Sequence, residues 1–254
     1  MPEKYKTVVF DSAGELARLL FSWEMKKKSS DMETIRQPQT YPGMTERLNM
    51  FVRRLKSFRD EKHVNIVITA HEDIQRIYAK GGMITPRGQV ALDPIAVRGW
   101  LDIPGSTAPQ EVERAVDNIF RVRYVNRQLY WIARPEPIGP GAGDWEVKDR
   151  FGAREYKDGL LPASYSEIRE IFKDSPNWSD WCIWVIYGVV GLEKTRRVAA
   201  TFPEPMKIFD LDKGTQSIRD ICLKRKIDIV QFDVEEFSEY MRFTKEVGET
   251  YDSL

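Results

Sequence analysis

The chain has 254 residues, of which 42% are hydrophobic and 31% are charged. This composition excludes an intrinsically disordered chain, and the lack of a charge-free apolar run of about 18 residues excludes a transmembrane helix. Because 39 basic residues balance 39 acidic residues, any nucleic-acid surface must be a local patch.

The first quarter of the chain alternates between strand and helix patterns. A β-branched run at 6–10 predicts a strand that ends at Asp11, and helical spacing of apolar residues follows over 14–25. Residues 26–43 are polar, basic and rich in turn formers, which indicates a loop. Residues 44–62 then have the pattern of an amphipathic helix.

The middle of the chain carries strand signals separated by a long irregular stretch. Residues 64–70 form an apolar run typical of a buried strand, and residues 72–110 are expected to be mostly loop because Gly, Pro and charges are scattered through them. Residues 118–133 predict a hairpin that turns near 125–127, and 145–152 predict a short strand and turn.

The last third of the chain returns to alternating elements. A helix is predicted at 163–174. Strands are predicted at 181–188, 205–212 and 227–233, and each of these strands is expected to be followed by a helix. Strands that alternate with helices predict an α/β fold with a mainly parallel sheet, here as a single domain over 1–254.

One loop in this region has the pattern of a phosphate-binding loop. The stretch "WVIYGVVGLEKT" supplies Gly188, Lys194 and Thr195 at the positions of G-x-x-x-x-G-K-[ST], with an additional Gly191 and with Glu193 in place of the second Gly. Backbone N–H groups at such a helix start cradle phosphates, the lysine meets the β- and γ-phosphates and the threonine binds Mg²⁺. The alternative is an ordinary strand–turn–helix.

Other stretches extend this signal into a family resemblance. The chain resembles the RecA-like P-loop ATPases, and most closely the phage-encoded RecA-like nucleotide-binding proteins linked to single-strand-annealing recombination. The resemblance implies a RecA-like core, ATP and Mg²⁺ as cofactors, and the cytoplasm of a phage-infected cell as the location. The stretches that carry it are "KTVVFDSAGEL", "VNIVITAHE", "VKDRFG", "WVIYGVVGLEKT" and "MKIFDLDKG".

The order of these motifs differs from the family order, in which the phosphate loop comes first. Here the Walker B-like strand, the sensor strand and the basic pair lie in 1–175, and the phosphate loop lies in 176–254. Moving the second part ahead of the first restores the family order, so the sequence resembles a circular permutation, which surface termini tolerate. The alternative is a set of coincidental matches.

The permuted arrangement makes an architectural prediction. The strand of residues 184–187 is expected to lie directly beside the strand of residues 7–10, although the two are far apart in the sequence. Lys194 and Asp11 should then face one pocket at the carboxyl ends of the strands, where open α/β sheets bind ligands.

The resemblance assigns roles to three residues near this pocket. Asp11 would hold Mg²⁺ through water, Asp212 would be the carboxylate that activates the attacking water, and His71 would be the sensor of the γ-phosphate. The alternatives are a strand-end aspartate that caps the next turn, a solvated turn aspartate and a packed histidine.

Lys148 and Arg150 in "WEVKDRFG" occupy alternate positions and are expected to share one strand face. In RecA-like proteins such a pair reaches the nucleotide of a neighbouring subunit, where a cation supplied in trans stabilises the transferring phosphoryl group. The resemblance therefore implies a homo-oligomer. The alternative is a solvated charge run.

Two basic stretches correspond to the loops that line the DNA path in the family. They are residues 26–39 and 73–89, and the second also contains Tyr78. Cations with an aromatic ring on a loop suit sequence-neutral binding of single-stranded DNA. Charged, solvated loops are the alternative.

Glu193 is the main departure from the family pattern. Its bulk and charge are expected to weaken phosphate binding unless Arg196 or Arg197 neutralises it. The sequence therefore predicts an oligomeric ATPase that binds single-stranded DNA in phage recombination or replication. The alternative is a degenerate RecA-fold protein that binds DNA or a partner without hydrolysing ATP.

Overall fold

A mainly parallel sheet runs through the residues that the computed structural model describes, which are 5–29, 41–77, 96–103, 108–139, 143–211 and 213–231. Its nine strands within these ranges, with helices on both sides, confirm the predicted α/β fold class. The strands are β1 (Thr7–Asp11), β2 (Asn65–Ile77), β3 (Ala96–Leu101), β4 (Asn118–Val125), β5 (Gln128–Ile132), β6 (Leu160–Pro162), β7 (Ile183–Gly188), β8 (Met206–Asp210) and β9 (Ile227–Gln231).

The strands lie across the sheet in the order β6, β5, β4, β7, β2, β1, β8, β9, and β3 pairs with the distal part of β2. In this spatial order, every pair of neighbouring strands from β4 to β9 is parallel. At the other edge, β5 pairs with both β4 and β6 in antiparallel orientation. The carboxyl ends of β1, β2 and β7 therefore meet at one edge of the sheet.

The predicted adjacency of the two motif-bearing strands is wrong, because β2 lies between β7 and β1. Val67 of β2 is in register with Trp184 of β7 on one side and with Val9 of β1 on the other. The physical reason is that "NIVITA" has no charge and is buried on both faces, which suits a central strand of a parallel sheet.

Two apolar cores cover the two faces of the sheet. Alternate residues of each strand face opposite cores, so Phe10 and Tyr187 belong to one core and Val9 and Trp184 belong to the other. The helices are α1 (Ala13–Ser29), α2 (Tyr41–Lys62), α3 (Ala108–Ala115), α4 (Tyr165–Phe172), α5 (Lys194–Thr201) and α6 (Arg219–Cys222). The first core packs against α1–α3, and the second packs against α4 and α5.

The predicted hairpin is confirmed, and its turn uses unusual residues. Strands β4 and β5 are joined by Asn126 and Arg127, whose φ angles are 50° and 64°. A two-residue turn with positive φ at both positions matches the twist of the strands, and Asn tolerates that conformation better than most residues.

Three other local predictions need correction. The stretch predicted as mostly loop, 72–110, contains the end of β2, all of β3 and the start of α3. Helix α2 begins at Tyr41 rather than at 44, and 145–152 forms only isolated bridges, among them Lys148 with Ile119. Buried Trp100 and Leu101 explain β3, because they fill the core above α1 and α2.

Candidate nucleotide-binding site

The predicted phosphate loop connects β7 to α5 at the carboxyl edge of the sheet. A Cβ atom on Gly188 would lie 2.7 Å from the Val122 carbonyl oxygen and 3.3 Å from Leu192 Cδ1, so only glycine fits between the loop and β4. Gly191 adopts φ 85°, a conformation that favours glycine. Both glycines of the motif are therefore required by the backbone path.

Glu193 occupies the residue before α5 with φ 51° and ψ 26°, in the left-handed region. This explains why the phosphate-loop pattern has glycine there, since a side chain adopts this region at a cost. The carboxylate is 43% exposed and lies 3.6 Å from Arg197 Nη2, while Arg196 pairs with Asp220 at 2.7 Å. Glu193 is therefore exposed and paired with Arg197, which partly neutralises its charge.

The side chain of Glu193 makes no capping hydrogen bond to the start of α5, where the first backbone N–H groups of the helix face the loop. Lys194 is the first helical residue and is only 7% exposed. Its ammonium group donates to the carbonyl oxygens of Gly188 at 3.1 Å and Val189 at 2.9 Å. The loop thus surrounds a buried cation next to uncapped N–H donors, which is an arrangement that attracts an anion.

Asp11 and Thr195 meet at this edge although 184 positions separate them in the sequence. The Thr195 hydroxyl donates to Asp11 Oδ2 at 2.7 Å, and the Thr69 hydroxyl of β2 donates to Asp11 Oδ1. Since Thr195 gives its proton to the carboxylate, the lone pairs of its oxygen stay available for a cation. The phosphate loop and the strand that ends at Asp11 are therefore in contact at the carboxyl edge of the sheet.

Burial raises the pKa of Asp11 above its ordinary value, and the nearby Asp210 carboxylate raises it further. The hydrogen bonds from Thr69 and Thr195 and the charge of Lys194 act in the opposite direction. A buried carboxylate held in this way gains strongly from a nearby cation, which would replace the missing solvation.

His71 lies at the point where β2 passes the end of β7, in register with Gly188. Alternation along β2 places its side chain on the same face as Thr69. Burial lowers the pKa of His71, and the positive charge of Lys194 lowers it further, so the ring is neutral at pH 7. Its buried Nδ1 atom has no hydrogen-bond partner among the described residues, which leaves a polar atom available to a ligand.

Comparison with known protein families identifies one family that matches this chain. A family described as an AAA domain matches residues 1–140, which is more than half of the chain. The chain belongs to the AAA domain family. The matched segment begins with the Asp11 strand and ends before the phosphate loop, so the loop enters the site from outside it. No curated protein and no solved structure matches the chain in the same comparisons.

The family supports a nucleotide-binding ATPase with a P-loop-like site, and such ATPases typically use Mg²⁺. The residues present fit a magnesium ion. The hydroxyl of Thr195 and the carboxylate of Asp11 are hard oxygen ligands, and the described residues contain no cluster of three or more acidic, histidine or cysteine side chains around them. Mg²⁺ is commonly bound by one or two protein oxygens and completed by water and phosphate oxygens.

The described part of this AAA domain chain contains no helix long and apolar enough to cross a membrane.

The predicted water-activating residue Asp212 lies outside the described residues. Its neighbour Asp210 is fully buried and accepts hydrogen bonds from the Gly214 N–H at 3.0 Å, from the N–H and hydroxyl of Thr215, and from Gln231 Nε2 at 3.2 Å. Asp210 therefore organises the turn after β8.

Lys148 and Arg150 lie at the opposite end of the sheet from the phosphate loop. Lys148 Nζ donates to the carbonyl oxygens of Glu113 and Val116, each at 2.7 Å, at the carboxyl end of α3. Arg150 Nη1 lies 2.6 Å from Asp117 Oδ1, and the other oxygen of Asp117 accepts from the N–H of Ile183 at the start of β7.

The two cations therefore have partners within their own chain, about 20 Å from the loop given ~3.3 Å per residue along β7. They do not share the face of a regular strand, because the chain turns immediately after the Lys148 bridge. Their role toward a neighbouring subunit remains a prediction.

The predicted DNA-contacting loops fall largely outside the described residues. Of 26–39 the structure describes only 26–29, at the end of α1, and of 73–89 only 73–77, at the end of β2.

Thr69 is the site residue that sequence reasoning missed. It lies inside an apolar run, where a threonine is an ordinary β-branched strand residue. The available signal was its position two residues before His71, which places both side chains on one face of β2 toward the carboxyl edge.

Proposed function

We propose that this chain binds ATP with Mg²⁺ at the junction of β7 and α5 and acts as an oligomeric RecA-like ATPase on single-stranded DNA. The observation that supports the nucleotide site most strongly is the 2.7 Å hydrogen bond from Thr195 to Asp11. It joins the threonine of the phosphate loop to the acidic residue of a separate strand, as a magnesium-dependent phosphate site requires.

Each residue of the site has a distinct task in this proposal. The uncapped N–H groups of α5 and the backbone of Gly188 and Gly191 accommodate the phosphates, and Lys194 exchanges its carbonyl partners for phosphate oxygens. Mg²⁺ would neutralise charge between the β- and γ-phosphates, held by Thr195 and, through water, by Asp11.

Hydrolysis needs further groups beyond the binding site. We assign the contact with the γ-phosphate to His71, whose neutral ring has an unsatisfied Nδ1 atom. Activation of water is assigned to Asp212 on the strength of the resemblance alone. Lys148 and Arg150 would complete the site of a neighbouring subunit only if the oligomer separates them from Val116 and Asp117.

The circular permutation is part of the same proposal. The strand and helix of the phosphate loop, followed by β8, come after β1 and β2 in the chain, yet β8 lies directly beside β1 in parallel register. Such neighbours are compatible with a sheet in which β8 once preceded β1 along the chain.

The nucleotide site is tested by equilibrium binding of ATP in the presence of Mg²⁺. Lys194→Ala should weaken binding by about 10-fold or more, because a hydrogen bond to a charged group contributes about 1.5–3 kcal/mol. Lys224→Ala, at an exposed position near α6, is the matched control and should bind like the parent. Equal binding by parent and Lys194→Ala would refute the site, provided that both variants unfold at the parent's temperature.

The action on DNA is tested separately with labelled single-stranded oligonucleotides. Replacing Lys26, Lys27 and Lys28 with Ala should weaken binding and flatten its dependence on salt, since each phosphate contact contributes to that slope. Unchanged DNA affinity in this variant would remove the first loop from the DNA path without affecting the nucleotide site.

A further inference from the structure

A groove of about 500 Å³ lies on the face of the sheet that carries α5, at the edge formed by β5 and β6. Its walls come from the two strands, the 3₁₀ segment Ala153–Gly159, α4, and Arg197 of α5. The volume falls within the range of about 300–1,000 Å³ that is usual for small-molecule sites. The groove therefore has the size of a ligand site and shares a helix with the phosphate loop.

The position of the groove follows the direction in which a bound nucleotide must extend. If Thr195 and Asp11 hold Mg²⁺, the phosphates of a bound nucleotide would lie on the side of α5 that faces β1 and β2. The strands on the other side of β7 are β4, then β5, then β6. Leu192 of the loop and Val122 of β4 both lie close to Gly188, so the loop borders β4 on the side of the sheet that leads to the groove.

The lining of the groove suits a flat, polar ring system. Tyr130 and Tyr156 contribute half-buried aromatic rings, and Ile171 contributes an apolar side chain that is 38% exposed. Gln128 accepts a hydrogen bond from the Tyr130 hydroxyl at 2.8 Å, and no partner for its Nε2 group occurs among the described residues. Aromatic walls with a few polar groups are typical of sites that bind a base and a sugar.

We infer that this groove binds the nucleoside end of the nucleotide whose phosphates occupy the loop at Lys194. The inference rests on the proposed nucleotide site and adds to it the residues that distinguish a nucleotide from a simple polyphosphate. Arg197 lies between the two regions, one helical turn from Glu193, and joins the phosphate loop to the groove.

The test compares Mg·ATP with Mg·tripolyphosphate, which has the phosphates but no nucleoside. Binding of each is measured for the parent, for Ile171→Trp, which fills the groove from the surface of α4, and for Leu223→Trp as a matched control. Leu223 is 89% exposed and lies beyond α6, outside the groove lining. Tyr156→Ala is a second groove variant that removes a ring instead of adding one.

The parent should bind ATP at least about 10-fold more tightly than tripolyphosphate, since a buried base and sugar add contact area. Ile171→Trp and Tyr156→Ala should weaken ATP binding about fivefold or more and leave tripolyphosphate binding unchanged, while Leu223→Trp should change neither. Equal affinity of the parent for both ligands, or equal effects of the groove variants on both, would overturn the inference while the phosphate site stands. Binding of neither ligand by the parent would instead refute the proposed function.

Discussion

The residue before α5 decides how far the loop departs from an ordinary phosphate-binding loop. Glu193 adopts a backbone conformation that favours glycine, and its carboxylate is exposed beside Arg197. The departure from the pattern therefore affects the backbone more than it affects the charge at the phosphates, because exposed charges are screened by solvent and salt.

Glu193→Gly should raise the free energy of unfolding by about 0.5–1 kcal/mol, because glycine adopts positive φ without a steric cost. Its Mg·ATP affinity should change by less than about threefold, since the carboxylate is already on the outer surface. Glu193→Gln separates the two effects, as it removes the charge and keeps the side chain. A tenfold or greater tightening in both variants would restore charge repulsion as the explanation.

Asp11 illustrates a conflict between stability and ligand binding at a single residue. Its pKa in the folded chain is raised above the ordinary value of 3.8, so ionisation is harder in the folded state than in the unfolded state. Stability is therefore lost as the pH rises from the unfolded pKa through the folded pKa.

Asp11→Asn should accordingly raise the melting temperature of the ligand-free protein at pH 7, by about 2–4 °C for each 1 kcal/mol gained. The difference from the parent should shrink as the pH falls toward the unfolded pKa of Asp11, which thermal unfolding across pH will show. The same variant should weaken Mg²⁺-dependent ATP binding. A lower melting temperature at pH 7 would indicate that the hydrogen bonds from Thr69 and Thr195 outweigh desolvation.

At the scale of elements, the structure assigns a local task to the basic segment after β5. Lys148 donates to two carbonyl oxygens at the carboxyl end of α3, where helix carbonyls lack partners and the helix dipole favours a cation. Burial lowers the pKa of Lys148, and the charge of Arg150 lowers it further. These contacts fix α3 against the start of β4.

Lys148→Gln should lower the free energy of unfolding by about 1–2 kcal/mol, because buried carbonyl groups lose a charged donor. Lys173→Gln, on the exposed end of α4, is the control and should unfold at the same urea concentration as the parent. Urea unfolding of both variants measures this. An unchanged midpoint for Lys148→Gln would show that the side chain is free to act toward a neighbouring subunit.

The sequence predicted most elements of the sheet because each is a short apolar run between turn signals. It placed β1 and β7 side by side because it had no means of ranking three similar runs by position. The runs of β1, β2 and β7 are all buried between two neighbouring strands, so their order depends on packing between strands rather than on the runs themselves. Strand β3 was missed because Gly99 and Arg98 interrupt its pattern, although Gly99 is required by the close approach of Trp145.

The candidate site was predictable to a similar extent. Gly188, Gly191, Lys194, Thr195 and Asp11 come together as expected because a strand–loop–helix pattern specifies where its polar residues lie. Thr69 could not be singled out, because its function depends on a carboxylate from another strand. The contact between Arg150 and Asp117 could not be predicted from the sequence either, because it forms only when β4 and β7 pair.

At the scale of the whole molecule, the two ends of the sequence build one side of the sheet. Strand β1 pairs with β8, and the phosphate loop near residue 190 meets Asp11. The proposed permutation predicts that chain order is not essential to this arrangement.

A chain in which 176–254 precedes 1–175, joined through a short flexible linker, should therefore fold and bind Mg·ATP within about threefold of the parent, because permuted chains keep the same contacts. Circular dichroism and nucleotide binding measure both properties. A control permuted within β2, between Val67 and Ile68, should fail to fold, as it cuts a central strand. If the first chain is expressed but does not fold, the result would argue against the permutation.

The central claim is that Asp11 and Thr195 form one magnesium-dependent nucleotide site, and a double-mutant cycle tests it most directly. Mg·ATP affinity is measured for the parent, Asp11→Asn, Thr195→Val and the double variant, and again with Mg²⁺ removed by chelation. The account predicts a coupling free energy of about 1 kcal/mol or more with Mg²⁺, as for residues that share one hydrogen-bond network, and its loss without the metal. Additive effects within about 0.3–0.5 kcal/mol, or equal coupling with and without Mg²⁺, would contradict it.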